Sequence, residues 1–275
     1  MSDRIVKLAL VQFQSVLGDT AASVEKACKM IDEAGKQGAD LVIFPELATT
    51  GYHLATIGPD LATLTERVDG PSVTALREAA ARNRVNLIVG ISLEYDYQPG
   101  VPYNSSVIID RDGNLMGTFD KVHLWAGERF WFRGGCDFPV FDMDFGRVGV
   151  MICYDAGFPE AARSLAMQGA EIIACPSAWC VQDKDIWETN MPCRALENTV
   201  FLAAVNRWGA EGDDLYMHGG SMVCNPRGHK LAQIEEEKED ILYVDVDLND
   251  ILKNRVTSPY LRDRRVDTYD MVMAY

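Results

Sequence analysis

The chain predicts an α/β layered fold in which mixed sheets are covered by helices. Short apolar runs alternate with amphipathic helix patterns, two hairpin signals interrupt that alternation, and three apolar runs end near reactive side chains, Glu46, Lys121 and Cys153. Strand–helix alternation calls for parallel strands joined by crossover helices, whereas hairpins are antiparallel, so the sheets should be mixed. With 275 residues and 48% hydrophobic composition, there is enough apolar material for a large core. Length alone allows one large domain or two ordinary ones, but no Pro/Gly/Ser-rich linker or low-complexity run divides the chain, so residues 1–275 read as one domain.

Residues 5–13 alternate as a strand, after which Asp19 or Thr20 caps a helix whose apolar face is Val24, Cys28 and Ile31. Leu41–Phe44 is a short buried strand, Ser72 opens a helix through Arg82, and residues 86–92 form the next strand. Residues 106–109 and 115–119 make a hairpin around the turn signal Asp110-Arg-Asp-Gly-Asn114. Then come a strand at 148–153, a helix at 160–168, a strand at 171–175, a helix at 186–198 and a strand at 200–205. A second hairpin, 221–225 with 230–233 around Pro226-Arg-Gly-His229, leads to a strand at 241–246. The segment Ser258–Asp267 has little apolar content of its own, and composition leaves open a loose tail or an arm that reaches a partner subunit.

The formal charge of −15 argues against sequence-independent nucleic-acid binding, which needs clustered Lys and Arg to neutralise phosphates. The acidic run Glu235–Asp240 reads as a solvated loop between strands. Seven cysteines at irregular spacing, with no C-x-x-C pair, suggest neither a disulfide framework nor a zinc site. The N-terminus lacks a signal peptide's apolar stretch, and no run approaches the roughly 20 apolar residues that span a bilayer. The expectation is a reducing, cytoplasmic setting with no membrane and no nucleic-acid partner. The histidine spacing offers neither a metal-ligand set nor a base for Cys153, so neither a metal nor an organic cofactor is expected and a cysteine peptidase is disfavoured.

Taken singly, each reactive residue has an ordinary reading. Glu46 is then a solvated strand-end carboxylate, Lys121 an exposed lysine and Cys153 inert core. Together at strand ends they supply a base, a cation and a thiol, the parts that acyl transfer needs. In order along the chain stand Phe44-Pro-Glu46, Asp120-Lys121-Val-His123, Gly127-Glu128 with a glycine pair at 134–135, and Arg147-Val-Gly-Val before Cys153-Tyr-Asp155. Phe158-Pro-Glu160, Arg194-Ala-Leu-Glu-Asn198, Ala204-Val-Asn-Arg207 and Tyr260-Leu-Arg-Asp-Arg-Arg265 follow. This series resembles the nitrilase superfamily of carbon–nitrogen hydrolases over nearly the whole chain.

The resemblance implies a four-layer α-β-β-α sandwich with two mixed sheets, a homodimer paired through a helical layer, and residues 258–275 as a subunit-bridging C-terminal arm. It assigns Cys153 as nucleophile, Glu46 as general base and acid, Lys121 as the cation beside the developing oxyanion, and Glu128 as a second carboxylate near the lysine. His123 receives no chemical role. Tyr154-Asp155 is similar to the amidase and carbamoylase branches, whereas nitrilases tend to carry Trp-Glu there. Relatives acting on carboxylate-bearing substrates commonly place an arginine one to four residues after the cysteine; here those residues are Tyr154, Asp155, Ala156 and Gly157, which favours a neutral or cationic acyl group. Tyr52, Tyr154 and Trp179 are candidate substrate contacts, with Trp208 a further possible wall. The expectation is an amidase acting on a small aliphatic carboxamide through a Cys thioester. An N-carbamoyl amine hydrolase and a nitrilase are the enzymatic alternatives, and a catalytically silent binding protein of the same fold is the non-enzymatic one.

Overall fold

The computed structural model describes residues 4–269. Strand β1 (Ile5–Gln12) leads through helix α1 (Thr20–Lys36) to β2 (Leu41–Ile43). Two single turns, α2 (Leu54–Ile57) and α3 (Leu61–Leu64), then precede α4 (Pro71–Asn83) and β3 (Asn86–Tyr95). β4 (Gln98–Ile109) and β5 (Leu115–Asp120) complete the first half. In the second half, β6 (Val140–Met143) and β7 (Gly146–Val150) are followed by α5 (Pro159–Met167), β8 (Ile172–Ser177), α6 (Lys184–Asn198) and β9 (Phe201–Asn206). A two-stranded ribbon, β10 (Trp208–Glu211) with β11 (Leu215–His218), precedes β12 (Met222–Cys224), β13 (Lys230–Gln233), β14 (Asp240–Asp247) and α7 (Asn249–Thr257).

Two six-stranded sheets result, one ordered β14-β1-β2-β3-β4-β5 and the other β13-β12-β9-β8-β7-β6. Both are mixed, as expected: β1, β2 and β3 run parallel, as do β7, β8 and β9, and the outer pairs of each sheet are antiparallel. The central strands are covered on both faces, which is why they read as continuous apolar runs. Leu8, Leu10, Ile43 and Ile88 pack into a core shared with the second sheet, while Ala9, Val11, Val42, Leu87 and Val89 pack into the layer under α1 and α4. Ala161, Leu165, Trp187 and Met191 bring α5 and α6 onto the second sheet. The architecture is therefore a four-layer α-β-β-α sandwich.

α1 starts where its sequence says: Asp19 accepts the Ala22 N–H at 2.9 Å, satisfying one open donor of the first turn. Val24, Ala27, Ile31 and Ala34 form its buried stripe. Full burial of a side chain such as Ile31 is worth roughly 1.5–3 kcal/mol. Several segments differ from the sequence reading. The strand expected at 148–153 leaves the sheet at Val150, because the Asp155 carboxylate draws in the Ile152 N–H and turns the chain. The β3–β4 hairpin extends to Tyr95 and Gln98 through a polar stretch containing Pro99 and Pro102; β5 pairs only from Ser105 onward, so these prolines lie where β4 has one strand neighbour. The β10–β11 ribbon, β6 and α7 had no clear sequence signal. The acidic run lies mostly in the loop between β13 and β14, as expected.

Of the expected C-terminal arm, residues 270–275 lie outside the described residues. Tyr260, Asp263, Arg264 and Tyr269 border a recess against Arg163 of α5 and Glu197 of α6. Among the described residues, no helix is long and apolar enough to cross a membrane.

Candidate active site

The carboxyl ends of β2, β5, β7 and β8 deliver the site, the position that open α/β sheets generally use. Glu46 follows β2 and is fully buried; Oε1 accepts the Lys121 Nζ at 2.7 Å and the Asn104 amide at 2.6 Å, and Oε2 accepts the Ala178 N–H at 2.9 Å. Lys121, the residue after β5, is also fully buried and donates to Glu128 Oε1 at 2.7 Å. Glu128 comes from the 3₁₀ turn Ala126–Phe130, where its carboxylate also accepts the Tyr52 hydroxyl and the Trp125 N–H. Cys153 opens the 3₁₀ turn after β7 and retains 6% exposure.

Two non-glycine residues at these strand ends have left-handed backbone, Leu47 at φ 47° and Cys153 at φ 49°. Such conformations cost of order 1–3 kcal/mol and persist where the surroundings over-determine them. Arg207 supplies that restraint on the first sheet: its buried guanidinium donates to the Glu46 and Leu47 carbonyls at 3.0 Å each and pairs with Glu211. Glu211 in turn accepts the backbone N–H groups of Tyr52 and His53. On the second sheet, Asp155 accepts the Ile152 N–H at 3.0 Å and both the backbone N–H and Nδ1 of His123. Arg194 from α6 donates to the Ala156 and Gly157 carbonyls. His123 thus ties the Lys121 loop to the Cys153 turn, its ring stacked on Phe158 at 3.8 Å.

Gly90 is fixed by close approach. A Cβ there would lie 2.4 Å from the Pro45 carbonyl oxygen and 2.7 Å from the Glu46 Cα. Gly90→Ala is expected to lower the unfolding free energy by about 1–3 kcal/mol through overpacking. The check is the urea midpoint at constant slope, and an unchanged midpoint would mean that the β2 and β3 ends can spread without cost.

The buried Glu46, Lys121 and Glu128 carry two carboxyl groups and one amine. Burial alone would lower the Lys121 ammonium, but Glu128 and Glu46 outweigh it and hold its pKa well above the usual lysine value. Burial raises the Glu128 carboxyl, with Glu46 adding to the effect and Lys121 opposing it. Burial likewise pushes the Cys153 thiol well above the usual cysteine value, reinforced by Glu46 against the pull of Lys121. The thiol is therefore neutral at rest, and its attack on a carbon requires a base at that moment. His218 does not provide one: burial against Trp187 drives its pKa down to about 4, and neither ring nitrogen has a hydrogen-bond partner.

Cys153 opens onto a narrow cleft of about 100 Å³ lined by aromatic Trp125, Tyr154 and Trp179 and by Gly157, Ala178 and Ile186. Tyr154 and Trp179, both sequence candidates, therefore face the same cleft as Cys153. Tyr52 instead borders a second recess, which Trp125 and Glu128 also line. Trp208 packs edge-on against Tyr216 and does not line the Cys153 cleft. Sequence reasoning did not single out Asn104, the Ala178 N–H or Trp125. No local pattern marks an asparagine inside a strand or a backbone amide; Trp125, three residues before Glu128, was within reach of the motif.

Among the described residues, no cluster of three or more His, Cys, Asp or Glu has metal-holding geometry. A family model described as carbon-nitrogen hydrolase matches residues 7–255. A protein named nitrilase from Pyrococcus abyssi is 35% identical over 268 residues, covering 96% of this chain and 99% of its own length. An (R)-stereoselective amidase from Pseudomonas sp. is 32% identical, covering 95% of this chain and 92% of its own. The crystal structure of a carbon–nitrogen hydrolase from Helicobacter pylori G27 superposes with a TM-score of 0.92 at 28% identity, covering 99% of each chain. With a match running from β1 into α7, through every element that carries the site, the chain belongs to the carbon–nitrogen hydrolases of the nitrilase superfamily.

Proposed function

We propose that the protein is an amidase that hydrolyses a small aliphatic carboxamide to a carboxylic acid and ammonia through a thioester on Cys153. The observation that carries this reading is the buried Glu46–Lys121–Glu128 cluster, whose charges act on Cys153 where that residue opens onto an apolar cleft. Glu46 takes the thiol proton as sulfur attacks the amide carbon, which offsets the thiol's raised pKa. Negative charge then develops on the carbonyl oxygen, where the Lys121 ammonium and the Tyr154 N–H stabilise it. The protonated Glu46 gives its proton to the leaving nitrogen, the C–N bond breaks, and ammonia departs from the thioester. The same carboxylate next deprotonates water; the resulting hydroxide attacks the thioester, and the C–S bond breaks to release the acid and restore the thiol. Glu128 orients the substrate amide and, with Tyr52, holds Lys121 in place.

In this reading residues 1–275 act as one domain and work as a homodimer in the cytoplasm. Exposed Val256, Tyr260 and Val266, at and beyond α7, support a partner subunit covering this surface. No cofactor is needed, since the base, the cation and the nucleophile are all side chains.

Ammonia and carbon dioxide release from butyramide, butyronitrile and N-carbamoylputrescine, with Cys153→Ala as blank, tests the assignment. Ammonia from butyramide, without carbon dioxide, is the expected result. Release confined to the nitrile would make the enzyme a nitrilase, equal ammonia and carbon dioxide from the carbamoyl compound alone would make it an N-carbamoyl amine hydrolase, and no release from any would favour a silent binding protein.

A further inference from the structure

We propose that Asp183 is a specificity-determining residue that selects substrates carrying a cationic amino group at the far end of the acyl chain. The inference rests on the amidase reading, which puts the acyl chain in the cleft beside Cys153. Apart from its aromatic and aliphatic walls and Cys153 itself, the cleft has three polar side chains, Cys180, Asp183 and Asn190, and Asp183 is the one charged residue in the lining. No Lys or Arg borders it.

The Asp183 carboxylate is also uncommitted. It stands at the N-cap of α6 yet makes no capping hydrogen bond. Among the described residues it enters no ion pair with Lys, Arg or His, and its side-chain contact is the Cys180 thiol, 3.7 Å from Oδ2. Its backbone is fixed, because the Asp183 carbonyl accepts the Trp179 indole N–H at 2.9 Å, so this lining residue is anchored to one of the cleft's walls. An unpaired carboxylate beside indole walls has lost part of its hydration, and a substrate ammonium restores that loss where a methyl group does not. The cluster that acts on Cys153 has the same sign: with both carboxyls ionised, Glu46, Glu128 and Lys121 sum to one negative charge. Asp183 at the N-cap and Asp185 in the first turn of α6 offset the partial positive charge of that helix end. An anionic acyl group would meet like charge, which agrees with the lack of arginine at 154–157.

The test compares three amides of similar length at pH 7.5: 5-aminopentanamide, which ends in an ammonium; hexanamide, which ends in a methyl; and adipamic acid, which ends in a carboxylate. The wild-type enzyme is expected to favour the ammonium over the methyl by roughly tenfold or more in kcat/KM, as fits a charge-assisted contact, and to disfavour the carboxylate. In Asp183→Asn the ammonium-to-methyl ratio should fall toward one and the carboxylate penalty should shrink. A ratio that Asp183→Asn leaves unchanged, or a wild-type preference for hexanamide, overturns the proposal.

Binding of the same compounds to Cys153→Ala, measured by calorimetry, reads the cleft without turnover. If none of the amides is hydrolysed, the amidase reading fails. The Asp183 assignment then stands if the ammonium compound binds more tightly in an Asp183-dependent way, and falls if it does not.

Discussion

Cys153→Ala is expected to reduce amide hydrolysis to background, a loss on the order of 10⁴-fold or more by analogy with removal of other covalent nucleophiles. The fold should tolerate the change, because it deletes one sulfur from a side chain already facing a cleft. Intact-protein mass spectrometry after a rapid acid quench should find an acyl adduct on the wild-type chain during turnover and none on the variant. Glu46→Gln should lower kcat by about 10²–10⁴-fold, since the neutral amide cannot take the thiol proton. Activity retained by Cys153→Ala would remove the thioester from the mechanism, and turnover that remained sensitive to alkylation would direct attention to Cys180, the other thiol lining the cleft.

Lys121→Ala should affect both turnover and stability. A missing oxyanion donor costs about 3–4 kcal/mol of transition-state stabilisation, a fall of 10²–10³-fold in kcat. Removing the cation from a buried cluster that holds two carboxyl groups should also cost about 3–5 kcal/mol of folding stability. In the wild-type protein the raised Lys121 value makes its contribution complete below the ordinary lysine pKa and lost only as pH climbs through the higher folded value. The variant adds a loss of the same sign at lower pH. Without the ammonium that holds it down, the Glu128 carboxyl rises further above its unfolded value, so stability is greatest at low pH and is lost as pH rises through the folded value. Urea midpoints of the two proteins should therefore lie closer together at pH 5 than at pH 8. Parallel midpoints across that range would mean that the carboxyls find other partners, and normal turnover would remove Lys121 from the oxyanion assignment.

The sequence by itself determined the layered α/β class, because buried parallel strands are apolar throughout and the helices between them carry a one-sided stripe such as Val24, Cys28 and Ile31. It also marked Glu46, Lys121 and Cys153, since each lies within a short motif at or just past a strand end and the motifs occur in a fixed order; Glu128 was marked only by the resemblance of Gly127-Glu128 to a family motif. Their meeting was beyond its reach. Glu46 and Lys121 stand 75 residues apart yet share a 2.7 Å contact, and only the pairing of β2, β3, β4 and β5 into one sheet brings those strand ends together.

The same holds for the supports. Asn104 reads as one polar residue in a proline-containing stretch, and Ala178 contributes only a backbone N–H, so neither has a side-chain signature of its role. Arg207 holds the carbonyls of Glu46 and Leu47 across 161 and 160 residues of chain. The turn at Cys153 was misread as strand because Met151 and Ile152 are apolar, while what ends the strand is Asp155 reaching back to the Ile152 N–H and across to His123. Local patterns fix which residues can be strand, helix or reactive group. Packing the two sheets decides which charges are buried together, and so sets the raised values of Lys121, Glu128 and Cys153.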